Sequence, residues 1–277
     1  MPDLYDVAAI GNAIVDVIAP ADDAFLATHG LDKGAMMLVD AQRSAELYAQ
    51  MARGVETSGG SAGNTVAGVA SFGGKAAYMG KVAGDALGQT FTEEMRAIGA
   101  HFEPTPLVGG PATAVSMINV TPDGQRTMCT FLGASVEFTD VDVVPSVIEG
   151  ARIVYLEGYL FDAEAARKAF AKAAALARGS GRMLALTLSD GFVVDRHRAG
   201  LLAFIESQVD LVFANDVEIR SLFQTDSFDE AMREITARAK LAAVTRSEQG
   251  SVIASHAETY SVPAFPVEKV VDTTGAG

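Results

Sequence analysis

The chain has 277 residues, 49% of them hydrophobic, and so can bury a large core; its formal net charge of −14 opposes non-specific attraction to phosphate backbones and anionic membranes. Nucleic acid and membranes are therefore not expected as partners, and any nucleotide is expected to be a small molecule held in a local site. The single cysteine, Cys129, excludes an internal disulfide framework, and the amino terminus carries Asp3, Asp6 and Asp16 with no basic leader or membrane-length apolar run, so a cytoplasmic location is expected.

Taken in chain order, the first apolar run, 5–10, reads as a strand, and 13–19 and 35–39 follow as two more. A glycine-rich stretch, Ser58 to Thr65, runs into a helical pattern over 66–72, and a strand follows at 76–81. The strands 113–120 and 126–132 are joined by the turn Thr121-Pro122-Asp123-Gly124-Gln125. From 153 onward, strand-like runs (153–157, 183–188, 211–214, 241–245) alternate with helices. One helix is predicted over 163–178 with Asp162 as its cap, another over 228–239 capped by Ser227. This alternation is an α/β pattern with a largely parallel sheet and crossover helices. The strands within 11–19, 34–40 and 111–135 have no predicted helices to cover both their faces. They are expected to form a separate small sheet, built from excursions of a single domain spanning 1–277.

Neither G-x-x-x-x-G-K-[ST] nor a G-x-G-x-x-G after a strand occurs, which disfavours a P-loop or a dinucleotide fold. In Ser58-Gly59-Gly60-Ser61-Ala62-Gly63-Asn64-Thr65 the paired glycines permit hinge-like backbone angles, and Ser61 and Asn64 at a helix entrance supply cap groups or donors to a polyhydroxylated ligand; by pattern alone, cap plus turn is the stronger reading. Asp16, within an apolar strand, reads by itself as solvent-facing. Asn215 and Glu218, one helical turn apart after a strand, read as a cap with a solvated carboxylate, or as a pair that positions a magnesium phosphate. Glu157 to Phe161 close a strand at the end where α/β proteins bind ligands, and Thr187, Ser189 and Asp190 end the next. Met117, Met128 and Phe131 are apolar residues that either cover a base or face a core. His29, His101, His197 and His256 show no metal-ligand spacing. The last six residues, Asp272-Thr273-Thr274-Gly275-Ala276-Gly277, follow the apolar Val267, Val270 and Val271 and form a turn whose N–H groups can converge on an anion.

These motifs, in this order, resemble the ribokinase-like carbohydrate kinases (the phosphofructokinase B family). The resemblance rests on G-N-A-I-V-D (11–16), G-G-S-A-G-N-T (59–65), Gly80 with Gly84-Asp85 and Gly88, N-D-V-E (215–218), T-R-S-E-Q-G (245–250) and D-T-T-G-A-G (272–277), and it spans essentially the whole chain. It implies a three-layer α/β/α sandwich with a β-sheet lid and transfer of the γ-phosphoryl of ATP to a primary hydroxyl. In its terms Gly59 and Gly60 are the lid hinge, Asp16 and Asn64 bind the acceptor, and Tyr159 packs on a nucleoside base. Asn215, Glu218, Thr245 and Gly250 hold ATP, with Mg²⁺ at Glu218 through water. Gly275, Ala276 and Gly277 form the anion hole. Ser247 departs from the family's usual glycine, which leaves it and Arg246 without an assigned role. The G-N-A-I-V-D block is closest to the adenosine kinase branch, so adenosine is the expected acceptor, with ribose or fructose as the alternative. The family pattern continues beyond Gly277 with a general-base aspartate, so the chain as given is expected to bind without turnover, or to be a non-catalytic nucleoside-binding homologue. A monomer or a homodimer paired through the lid is compatible with the pattern, as is a monovalent cation beside the anion hole.

Overall fold

The computed structural model describes residues 4–266. Its chain begins with β1 (Tyr5–Ile10), β2 (Ile14–Pro20), α1 (Asp23–Thr28), β3 (Met36–Leu38), α2 (Ala41–Gln50), β4 (Val55–Ser58) and α3 (Ser61–Ser71). Next come β5 (Ala76–Met79), α4 (Ala86–Ala97), the hairpin β6 (Ala114–Val120) and β7 (Arg126–Phe131), then α5 (Pro145–Glu149) and β8 (Ala151–Glu157). The remainder alternates as α6 (Glu164–Gly179), β9 (Met183–Thr187), α7 (Gly191–Gln208), β10 (Leu211–Asn215), α8 (Asp216–Phe223) and α9 (Phe228–Thr236), and closes on β11 (Leu241–Thr245), β12 (Ser251–Ala254) and β13 (Thr259–Val262).

The strands divide into an eight-stranded sheet, ordered β13-β12-β11-β10-β9-β8-β1-β5, and a five-stranded sheet, ordered β3-β7-β6-β2-β4. The large sheet is parallel from β5 to β11 and antiparallel only at β12 and β13. Its central strands are buried on both faces, while β13 at one edge is exposed. Ala8 and Ile10 of β1 belong to one hydrophobic cluster and Ala9 to another, and on β8 Val154 and Leu156 are divided from Tyr155 in the same way. Helices α5 to α9 pack into the first cluster, α3 and α4 into the second, which completes the expected three layers. In α6 the alanines at 166, 169, 173, 174 and 177, with Phe170, recur at helical spacing on the buried face and let the helix lie close to the sheet.

Two local expectations fail. Asp162 does not cap α6, whose N-cap is Ala163; Asp162 closes the preceding turn and accepts from Arg196 and His197 instead. Ser227 does cap α9, accepting from the Glu230 N–H. The small sheet, in turn, is not bare of helices. α1 and α2 interrupt its strands and bury Leu26 and Leu47 against Val15, Val17, Met117 and Cys129, and β4, not foreseen as a strand, supplies one edge. The helices were missed because both are short, and α1 has only Leu26 fully buried.

Candidate active site

The small sheet is attached at the carboxyl ends of the parallel strands, where β1 runs through Gly11, Asn12 and Ala13 into β2, and β4 runs through Gly59 and Gly60 into α3. Along β2, Val15, Val17 and Ala19 are buried while Ile14, Asp16 and Ile18 are only partly covered. Asp16 lies opposite Ser116, Ser116 opposite Thr130, and Thr130 opposite Leu38, so the four share one face. The Ser116 and Thr130 hydroxyls are hydrogen-bonded at 2.9 Å. The next row on that face is Ile18, Ile118, Met128 and Met36. Met117 and Phe131 fall on the other face, against α1, α2 and α4, so of the three apolar residues considered as a cover for a base only Met128 shares the face of Asp16.

Asp16 is not an ordinary solvent-facing strand residue. Burial pushes its carboxyl up to about 6, against the attraction of the Arg126 guanidinium. Gly59 packs directly on it: a Cβ at that position would lie 2.6 Å from Asp16 Oδ1. Gly60 has φ +79°, and a Cβ there would meet the Asn12 carbonyl oxygen at 2.5 Å. Gly60 is also the N-cap of α3 and, with no side chain, leaves the helix without a side-chain cap; Ser61 is the first helical residue and Asn64 sits exposed in the first turn. The expectation that Ser61 or Asn64 caps this helix is therefore wrong, and the physical reason is the left-handed backbone that only a glycine adopts readily at the cap. Asp16, Gly59, Gly60 and Asn64 are thus brought to one junction.

At the same junction the chain carries groups that local pattern did not single out. Glu157, the last residue of β8, is 1% exposed and accepts from the Ala62 N–H at 2.7 Å and the Asn12 N–H at 3.3 Å. Burial pushes its carboxyl up to about 7. Asn12 is itself 3% exposed, and among the described residues its Oδ1 has no hydrogen-bond partner. Asp85 explains the G-D-x-x-G spacing: it accepts from Gly88 N–H as the cap of α4 and from both the N–H and hydroxyl of Thr113, where the chain re-enters the small sheet. Its place directly after Gly84 and three residues before Gly88 was the only local sign of it.

The second group lies at the ends of β10 and β11, where Asn215 and Thr245 are paired neighbours. Asn215 and Glu218 form a reciprocal capping box on α8: Asn215 Oδ1 accepts from Glu218 N–H at 2.8 Å, and Glu218 accepts from the Asn215 N–H at 3.0 Å and from Nδ2 at 2.8 Å. Glu218 is 6% exposed, so the solvated carboxylate of the sequence reading is corrected. Burial and then repulsion from Asp190 raise its pKa. Gly250 has φ +84° in the β11–β12 turn, where a Cβ would collide with the Val262 carbonyl oxygen, so the turn itself requires glycine. Tyr159 is half-buried between the two groups. After burial, the charges of Asp190, Glu157 and Glu218 raise its pKa further. Gly275, Ala276 and Gly277 lie outside the described residues.

Among the described residues no cluster of three or more His, Cys, Asp or Glu is arranged as a metal site. The residues present nonetheless fit a divalent ion bound mainly through phosphate oxygens, because the carboxylates of Glu218 and Asp190 repel each other at the strand ends and a cation between them and a triphosphate relieves that repulsion.

The structure thus sets a polar junction where the two sheets meet and a capped helix at the carboxyl ends of adjacent parallel strands. The model of the pfkB family carbohydrate kinases matches residues 6–277, and the chain belongs to that family. The adenosine kinase of Sinorhizobium meliloti is 53% identical and superposes with a TM-score of 0.90, covering 98% of this chain and 84% of that one. A probable sugar kinase protein from Rhizobium etli CFN 42 is 50% identical, with a TM-score of 0.91 and coverage of 100% and 84%. Fructokinase-1 of Oryza sativa subsp. japonica is 27% identical over 230 residues, 80% of this chain and 71% of its own length.

Proposed function

We propose that the protein transfers the γ-phosphoryl group of ATP to the primary hydroxyl of a nucleoside, adenosine before all others. The observation that carries this reading is the face of the small sheet around Asp16. Met36 and Leu38 are 48% and 62% exposed, and with Ile14, Ile18 and Met128 they make an apolar surface beside a carboxylate. A carboxylate accepts from vicinal ribose hydroxyls, while the apolar surface suits a flat base; a free sugar uses only the first. The buried, unpartnered Oδ1 of Asn12 is a further acceptor for a ligand donor at the same junction. The 53% identity to an adenosine kinase supports the nucleoside, while the fructokinases keep a hexose as the second reading.

In this reading the small sheet is a lid that closes over the acceptor with Gly59 and Gly60 as its hinge. Asp16 and Asn64 fix the acceptor's hydroxyls, and Tyr159 lies beside its base. Asn215, Glu218, Thr245 and Gly250 hold the nucleotide. Glu218 would hold Mg²⁺ through water, and the ion would supply charge neutralisation at the triphosphate. The anion-hole role that the resemblance gives to Gly275, Ala276 and Gly277, with a monovalent cation beside it, falls outside the described residues; positioning and electrostatics supply most of the rate in such chemistry. The test is a comparison of adenosine, ribose and fructose as ligands by calorimetry, and as acceptors with ATP and Mg²⁺. Adenosine is expected to bind at least tenfold tighter than either sugar, since each 1.4 kcal/mol from burying the base is about tenfold. Equal use of fructose would transfer the assignment to the hexose reading.

A further inference from the structure

The four crossings between the two sheets are where the acceptor site is assembled, and the first two run side by side. Chain 11–13 carries β1 into β2 and hence to Asp16; chain 59–60 carries β4 into α3 and hence to Asn64. Gly59 N–H donates to the Ile14 carbonyl at 2.8 Å, but this bond lies on the small-sheet side of the junction. On the large-sheet side, the group that joins the two crossings is Glu157. One oxygen accepts from Asn12 N–H, 145 residues earlier in sequence, and the other from Ala62 N–H, 95 residues earlier.

The surroundings are fitted to this carboxylate. A Cβ on Gly11 would lie 2.5 Å from Glu157 Oε2, so the glycine ahead of Asn12 leaves the space the carboxylate fills. Ala62 presents its N–H in the first turn of α3, where intrahelical acceptors are lacking. A buried carboxylate without a salt-bridge partner is costly. Among neutral side chains none offers two acceptor oxygens to two converging N–H groups.

We propose that Glu157 is a positioning residue for the phosphoryl acceptor, clasping the β1–β2 turn to the start of α3 so that Asp16 and the Gly59-Gly60-Asn64 segment form one site. It acts through backbone N–H groups and not by touching the nucleotide. The inference rests on the acceptor site proposed above, and its test has one arm that needs no acceptor.

That arm is hydrogen–deuterium exchange of the protein and of Glu157→Gln, which keeps the volume but turns one of the two acceptor oxygens into a donor. Amides of the segments 11–13 and 61–64 are expected to exchange about tenfold faster, with those of 215–219 unchanged. Gly11→Ala, which leaves Glu157 chemically intact but whose Cβ would press on both Ala62 Cβ and Glu157 Oε2, is expected to give the same pattern. The second arm is calorimetric titration with adenosine, with fructose, and with ATP and Mg²⁺. Acceptor affinity is expected to fall about tenfold in both variants and nucleotide affinity to stay within twofold. Unchanged exchange at 11–13 and 61–64, or a uniform acceleration with equal losses for acceptor and nucleotide, overturns the proposal. If neither adenosine nor fructose binds the unsubstituted protein, the acceptor assignment fails and the exchange arm still decides whether the clasp exists.

Discussion

The carboxylate of Asp16 and the α-carbon of Gly59 are in direct contact across the β2–β4 pair, so close that any side chain at 59 would occupy the space of the carboxylate. One residue of the glycine pair is thus explained by its neighbour and the other, Gly60, by its own backbone angle. The two substitutions are expected to differ. Gly59→Ala should displace Asp16 and weaken acceptor binding tenfold or more with a small change in melting temperature. Gly60→Ala should cost stability, roughly 1–2 kcal/mol for the left-handed conformation, beyond the contact with the Asn12 carbonyl. Thermal melts paired with acceptor titrations check this, and identical profiles for the two variants would count against it.

Asp16 itself should trade stability for function. Its carboxyl stands at about 6 in the folded state, above the ordinary aspartate value, so between pH 4 and 6 the folded state holds a proton that the unfolded state has lost. Stability is therefore expected to fall as pH rises through that window, and Glu157, whose carboxyl is pushed up to about 7, extends the fall toward pH 7. Asp16→Asn should remove the Asp16 share of the dependence, leaving that of Glu157, and raise the stability of the unliganded protein near pH 7 by about 1–2 kcal/mol, after discounting the shift for partial exposure. Acceptor binding, which uses the ionised form, should weaken as pH falls below 6 and collapse in the variant through loss of charge-assisted bonds worth roughly 1.5–3 kcal/mol each. Melting curves from pH 4 to 8 with and without adenosine decide the matter; a variant less stable than the parent at pH 7 contradicts it.

Glu218 should separate its capping role from its role toward the metal. Glu218→Ala breaks the box with Asn215 and is expected to cost about 1 kcal/mol of stability, in the range for lost caps. Glu218→Gln keeps an oxygen for the Asn215 N–H and should stay nearer the parent in stability while requiring several-fold more Mg²⁺ for half-maximal ATP binding. An unchanged Mg²⁺ requirement in both variants would reduce Glu218 to a helix cap.

Thr245 and Gly250 stand in one turn region but should respond differently. Gly250→Ala is expected to lower stability by roughly 2 kcal/mol or more, because it combines a positive φ with a collision at the Val262 carbonyl. Thr245→Ala, at a half-buried strand end beside Asn215, should weaken ATP binding with little change in melting temperature. The same melts and nucleotide titrations give the answer, and a Gly250→Ala protein as stable as the parent refutes the structural account of that glycine.

The sequence by itself did not determine α1, α2 or β4, but it did determine the main strands of the parallel sheet with their crossover helices, the existence of a second small sheet, the hairpin through 121–125 and the order of the glycine and carboxylate motifs. All of these are written in local periodicity, turn chemistry and short spacing. Tertiary structure alone decided which face of the small sheet opens on the site. Alternation says that Asp16 and Val15 point opposite ways, but not which side receives α1, α2 and α4, so Met117 and Phe131 could not be told from Met128. It also decided that Glu218 is buried, since a capping box looks the same in sequence whether or not a sheet lies over it. Most of all it decided Glu157, whose partners lie 95 and 145 residues away: a strand-ending glutamate has no periodic or turn signature, and its role exists only where two distant backbone segments converge on its two oxygens.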